Sequence, residues 1–329
     1  MGPNLSEFSV TFHSHPPTEE PFTVPNYIAT MQITIAPASP QTCRAAIQAL
    51  LCDSSAPLVI GIYRDLNKVP AEFRSHRNFK AIRGDLKDRD TLDFTGSDAV
   101  LTLTPPCLDG SDFVAQAKAI SSNVRDAVVK AKSVKRLVYI SSMGAQFASG
   151  VGEVQANHES ERILEYAAPE VVLVRNGFFM ENWRDALATL TADPPFFYST
   201  VTPIDYKMPM VSANDIGKAC ARHLLQAGSA LKASPHIFKL HGPVEYSTSD
   251  VQRAFEEVTG KKVEVRLVER DELKAYFSKF LPLNLVDKFV EMTWSFLPDG
   301  ILEQDMNDFT GIERGHDTLV DAFKKMLSM

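Results

Sequence analysis

From Met31 onward, short apolar runs alternate with longer segments whose apolar positions recur every three or four residues. The short runs are Met31 to Ile35, LVIGIY (58–63), FKAI (79–82), AVLTLT (99–104), RLVYIS (136–141) and EVVLVR (170–175). They are nearly continuous rather than alternating, which is the pattern of parallel strands covered on both faces. Helical periodicity fills the stretches around 43–52, 111–132 and 157–167. Repeated strand–helix alternation predicts a Rossmann-type, doubly wound parallel α/β sheet with its ligand at the carboxyl ends of the strands.

The rhythm changes near Asn176. An irregular stretch leads into a helix with Asn214 or Asp215 near its start, and HIFKL (236–240) reads as a further sheet strand. STSDVQRAFEEVTG reads as a capped helix ending at Gly260, and 261–329 as one strand, KVEVRLV, followed by helices. The expected organisation is a flexible N-terminal tail over 1–30, a dinucleotide-binding domain over 31–175, and a smaller C-terminal α/β substrate lobe over 176–329. Phe8 to Phe12 in the tail could clip onto the folded body.

With 329 residues, 44% of them hydrophobic, the chain can bury a large core. A net charge of −7 with no basic stripe argues against a nucleic-acid partner. The apolar runs are strand-sized, so no membrane partner is expected. Cysteines 43, 52, 107 and 220 have neither metal-ligand spacing nor disulfide-scaffold density, which predicts reduced thiols, no metal site and a cytoplasmic protein. The N-terminal 30 residues lack Lys and Arg and match neither a secretory nor a mitochondrial signal. A small-molecule substrate and a monomer or homodimer complete the expectation.

TIAPASPQTCRAAIQALL (34–51) has the form of strand, tight turn and helix. With it come Arg64 after the second strand, GDLKDRDTL (84–92), LTPP (103–106), VKRLVYISSMGA (134–145), VRNGFFMENW (174–183), MVSANDIGKA (210–219) and KLHGPVEYSTSDV (239–251). In this order and spacing, the chain resembles the NmrA-like branch of the atypical short-chain dehydrogenases. That branch includes fungal reductases of secondary metabolism and redox-sensing regulators.

The resemblance implies NADP (NADPH) as cofactor. The family's first turn reads G-x-x-G-x-x-G, and the matching positions here are Ala36, Ser39 and Thr42, with Gln41 beside them. Forcing a Cβ to positive φ costs about 1–2 kcal/mol, and a lost amide bond to a charged group about 1.5–3. Pro40 has no amide hydrogen. These losses would weaken the cofactor about 10²- to 10⁴-fold unless the loop has been reshaped. The replacements are all small, which favours reshaping, and the helix N-terminus still suits an anion. Arg64, helped by Lys68, would meet the 2′-phosphate; Asp85 and Leu86 would meet the adenine edge; Thr104 and Pro105 the ribose and nicotinamide. Arg64 could equally be a solvated strand-end residue, and Asp85 a turn cap.

The superfamily's Tyr-x-x-x-Lys pair has no counterpart: Glu153 and Asn157 stand at those positions. Ser142, Glu153, Asn157 and His158 form a candidate polar cluster able to polarise a carbonyl or move a proton. Alternatively, Asn157 is a helix N-cap, with His158 and Glu161 simply on the helix surface. Phe178, Phe179, Met180, Trp183 and Tyr206 are candidate walls of an apolar substrate pocket, with ADPPFFYSTVTP as a lid. Three functions follow. The first is an NADP(H)-associated oxidoreductase reducing an imine, enone or carbonyl of a bulky hydrophobic secondary metabolite. The second is a cyclase, isomerase or pericyclase reusing the fold, with NADP structural or absent. The third is a non-catalytic redox-sensing regulator.

Overall fold

The computed structural model describes residue 1, residues 30–308 and residues 310–328. The tail and its Phe8 to Phe12 clip therefore lie outside the described residues. Six strands alternate with helices in the first half of the chain: β1 Gln32–Ala36, β2 Leu58–Tyr63, β3 Phe79–Arg83, β4 Ala99–Thr102, β5 Arg136–Ser142 and β6 Glu170–Asn176. The intervening helices are α1 Gln41–Leu51, α2 Ala71–Arg74, α3 Phe113–Ala131 and α4 Gln155–Leu164.

The second half supplies β7 Phe178–Phe179, α5 Ala186–Thr189, β8 Phe196–Ser199, β9 Met208–Val211, α6 Ala213–Leu225, β10 His236–His241, β11 Glu245–Tyr246, α7 Thr248–Thr259 and β12 Glu264–Leu267. It ends with α8 Leu273–Phe277, α9 Leu283–Phe296, α10 Glu303–Met306, β13 Ile312–Arg314 and α11 Leu319–Leu327.

Eight strands form one sheet in the order β13-β10-β6-β5-β4-β1-β2-β3, with every pairing parallel. Strand order reverses at β1, which pairs β2 on one side and β4 on the other, and a ligand crevice opens at such a switch point. Side-chain alternation divides the core. Ile33 and Ile35 join the apolar layer under α1 and α6, whereas Ala36, Val100, Leu137 and Tyr139 join the layer on the opposite face. Gly217 of α6 lies where a Cβ would stand 2.4 Å from the Ala45 Cβ, so its missing side chain lets α6 cross α1 closely.

The strands and helices of the first half lie where the hydrophobic pattern puts them, and HIFKL becomes β10. α7 is closed by a Ser247–Asp250 capping box and by Gly260 in the left-handed conformation. Two features were not legible in the pattern. The final stretch contains a sheet strand, β13, only three residues long and therefore without a readable period. The expected lid contains β8, which pairs in parallel with β12 of KVEVRLV. β8 and β12, the β11-β9-β7 sheet and the late helices build the second core over the strand ends. Among the described residues no helix is long and apolar enough to cross a membrane, and the four cysteines are free.

Candidate active site

A cavity of about 530 Å³ lies over the carboxyl ends of β4, β5 and β6. Pro40, Gln41 and Thr42 at the start of α1 close one end, and Met292, Ser295, Phe296 and Leu302 of the lobe close the other. Leu103 to Pro106, Ile140 to Met143 and Asn176 to Phe179 line it between those ends.

The β1–α1 turn is reshaped. No residue from Ala36 to Thr42 has a positive φ, so the strain expected from losing the glycines does not arise. Pro40 occupies the N-cap position without a side-chain cap, which leaves the first-turn amides of Gln41 and Thr42 unclaimed within the helix at the cavity's edge. Ala36 is a wholly buried strand residue and Ser39 is exposed, and neither lines the cavity. The cradle is therefore a helix terminus and not a glycine loop.

A separate cleft at the ends of β2 and β3 is lined by Arg64, Asp65, Leu66, Asn67 and Arg83. Parallel register sets Tyr63 beside Arg83, bringing the two arginines together at the edge of the sheet. Both are exposed and, among the described residues, neither has an ion-pair partner. Arg83 escaped the sequence reading; its signal was a cation ending the strand next to the one that Arg64 follows. Lys68 closes a short 3₁₀ turn and does not line this cleft. Asp85 accepts from the Lys87 amide at 3.0 Å, capping its own turn, and Leu86 is buried against Phe94 and Val100. Both serve the fold here.

Thr104 and Pro105 do line the cavity. Asn157 Nδ2 donates to Tyr139 Oη at 3.4 Å, and Tyr139 donates to Thr104 Oγ1 at 3.2 Å. Thr104 is 2.8 Å from Ser160 Oγ, which itself donates to the Ala156 carbonyl at 2.8 Å. Since Ser160 spends its proton on Ala156, Thr104 donates to Ser160 and turns a lone pair to its surroundings. Burial pushes the Tyr139 hydroxyl up to about 12, so as a neutral hydroxyl it donates to Thr104 and accepts from Asn157.

Of the candidate cluster, Ser142, Glu153 and Asn157 reach the cavity and His158 does not. His158 Nδ1 lies 2.8 Å from the Ala145 carbonyl, where it ties α4 to the preceding turn. Asn157 is not an N-cap: it lies inside α4. Glu161 is buried, accepting from Ser141 Oγ at 2.6 Å and pairing with Arg175 at 2.7 Å. Glu153 sits on a 3₁₀ turn, Gly152–Val154, packed on α9, and burial raises its carboxyl above the usual range. The Glu181 carboxyl is also raised by burial, opposed by a 2.9 Å bond from the Ala213 amide.

Phe178 and Phe179 line the cavity as expected. Met180 and Trp183 are core residues instead: Trp183 is edge-on to Phe197 with ring centroids 5.7 Å apart. Tyr206 packs at the margin of the same cluster and does not line the cavity. Asn176 and Glu181 were missed although they flank Phe178 and Phe179, because only their packing turns them to the cavity; the α9 residues were missed because the chain returns there from more than 100 positions away.

The model of the NmrA-like family matches residues 30–323. This chain belongs to the NmrA-like family. Sequence comparison with curated proteins gives no match. Among solved structures, this NmrA-like protein resembles the Citrobacter sp. triphenylmethane reductase complexed with NADP(H), at 18% identity and a TM-score of 0.67, covering 90% of this chain and 99% of that one. It also resembles an NADPH-dependent quinone oxidoreductase of Escherichia coli complexed with NADPH, at 20% identity and 0.66, covering 90% and 100%. A third is NmrA, a negative transcriptional regulator, in complex with NADP, at 15% identity and 0.62, covering 91% of each chain. These likenesses establish a shared reductase-type fold.

Proposed function

We propose that this NmrA-like protein is a cytoplasmic NADP(H)-dependent oxidoreductase that reduces an imine, enone or carbonyl of a bulky, largely apolar metabolite of the secondary-metabolism type. One observation carries the reading: a single cavity joins the uncapped start of α1 to an apolar lobe, with two unpaired arginines in a cleft at the adjoining strand ends. The residues fit the cofactor. The Gln41 and Thr42 amides suit its pyrophosphate, Arg64 and Arg83 its 2′-phosphate, and the acceptor face of Thr104 with Pro105 its ribose and carboxamide donors. The bound dinucleotide supplies hydride.

The chain's own contribution is positioning and a proton. Phe178, Phe179 and Phe296 hold the apolar body of the substrate and exclude water. Glu153, its carboxyl raised above the usual range by burial, is the candidate acid, a role open to a carboxyl whose charged form is disfavoured. The missing active-site lysine supports a second, non-redox reading: Asn157 holds its place and no lysine lines the cavity among the described residues.

The test is a dinucleotide titration of purified protein, followed by reduced-nicotinamide absorbance with candidate acceptors. The reductase reading expects micromolar NADPH binding and cofactor oxidation on turnover. Conversion at constant absorbance would favour the non-redox reading, and failure to bind either NADPH or NADP⁺ at millimolar supply would remove the redox assignment.

A further inference from the structure

The ionisable side chains of the cavity are of one sign only. Among the described residues, its ionisable lining groups are two carboxyls, Glu153 and Glu181, with no lysine, arginine or histidine. Glu181 is answered by the Ala213 amide at the start of α6. Among the described residues Glu153 has no hydrogen-bond or ion-pair partner, and the nearby Val151 and Val154 belong to an apolar cluster with Met143, Phe296 and Leu302. A lone carboxyl in such a wall is costly unless a ligand answers it.

Ser141, Ser142, Ser295, Thr104 and Asn176 lean the same way because their hydrogens are already committed, whereas among the described residues Gln41, Asn157 and Asn182 keep amide hydrogens free. Ser141 donates to Glu161 at 2.6 Å, Ser142 to the Met143 carbonyl at 3.0 Å, and Ser295 to the Met292 carbonyl at 2.6 Å. Thr104 donates to Ser160, as argued above. Asn176 spends both amide hydrogens, on the Ser141 carbonyl at 2.8 Å and the Val174 carbonyl at 3.0 Å. Its Oδ1 is left buried in the wall without a partner, and Asn176 is only 1% exposed. At Asn176 the wall therefore holds an acceptor in search of a donor.

We propose that the substrate half of the cavity recognises a bulky apolar molecule carrying a basic nitrogen, an amine or imine, whose N–H or cationic charge meets the acceptors Glu153 and Asn176. This rests on the reading of the cavity as a substrate site and narrows its imine, enone or carbonyl range to nitrogen. An anionic ligand would find no counter-charge, and a ketone would leave Asn176 Oδ1 unanswered. A basic nitrogen that takes up the Glu153 proton, or enters already charged, makes an N⁺–H···O⁻ contact with it, among the stronger hydrogen bonds available in a water-poor wall.

The experiment is calorimetric titration of the full chain, without dinucleotide, with three near-isosteric probes: 3,4-dihydroisoquinoline, 1,2-dihydronaphthalene and 1-tetralone. The imine should bind at least about tenfold tighter than the other two, and Glu153→Gln should shrink that preference to below about threefold. Equal binding of the hydrocarbon or ketone, or an imine preference that survives the substitution, would overturn the proposal. The comparison on the unsubstituted protein decides the matter even if Glu153→Gln does not fold. Because no cofactor is present, imine selectivity without NADPH affinity would end the reductase reading alone, and NADPH affinity without imine selectivity would end this one alone.

Discussion

Gly152 is pressed against Lys288: a Cβ on Gly152 would stand 1.9 Å from the Lys288 carbonyl oxygen and 2.6 Å from the Met292 amide nitrogen. Gly152 also has φ +54, so the turn presenting Glu153 depends on a residue without a side chain in both space and conformation. Gly152→Ala should destabilise the protein by about 2–4 kcal/mol, combining left-handed strain with overpacking. Denaturant unfolding checks this. A variant as stable as the parent would mean that the turn and α9 separate freely.

The paired arginines give a test of cofactor choice. Arg64→Glu and Arg83→Glu should each weaken NADPH about 10- to 100-fold, the loss of a charge-assisted bond, while changing NADH little. Titration of both dinucleotides measures the ratio. Equal loss for the two cofactors would remove the phosphate-reading role of the cleft.

Phe178 and Trp183 are neighbours with ring centroids 5.9 Å apart, yet only Phe178 lines the cavity. Trp183→Ala should cost about 3–5 kcal/mol of stability, as expected for emptying an aromatic core site. Phe178→Ala should instead mainly lower substrate turnover, leaving NADPH affinity unchanged. Melting curves and kinetics on the two variants separate the roles.

His241 is fully buried, and among the described residues both ring nitrogens lack partners. Burial, with Arg314 and Lys239 nearby, depresses its pKa from 6.5 to about 4. Between those values the unfolded chain binds the extra proton and the folded chain does not. The stability contribution is thus complete above about pH 6.5 and is lost as pH falls towards 4, by up to about 3 kcal/mol. Urea unfolding from pH 7 to 4 should show this slope, and His241→Leu should flatten it.

The strand–helix alternation was legible because buried parallel strands must be apolar throughout and their covering helices must be amphipathic. That physical requirement leaves strands β1 to β6 and β10, and a ligand site at the carboxyl ends of the strands, written in local pattern. Leu103 to Pro106 and Phe178 to Phe179 could be placed for the same reason, since they follow strands directly. Which side chains face the cavity was not local information. Trp183 and Phe178 have the same apolar character, and only the second core decides that one is walled in and the other exposed to the cavity. Arg83 acquires meaning through parallel register with β2, Asn176 through the saturation of its amide by two carbonyls, and Glu153 through the packing of α9. The sequence by itself determined the layered fold, because burial acts on each segment's own periodicity. Only the tertiary structure decided the chemistry of the site, because hydrogen-bond commitment and desolvation depend on groups that the chain brings together from distant positions.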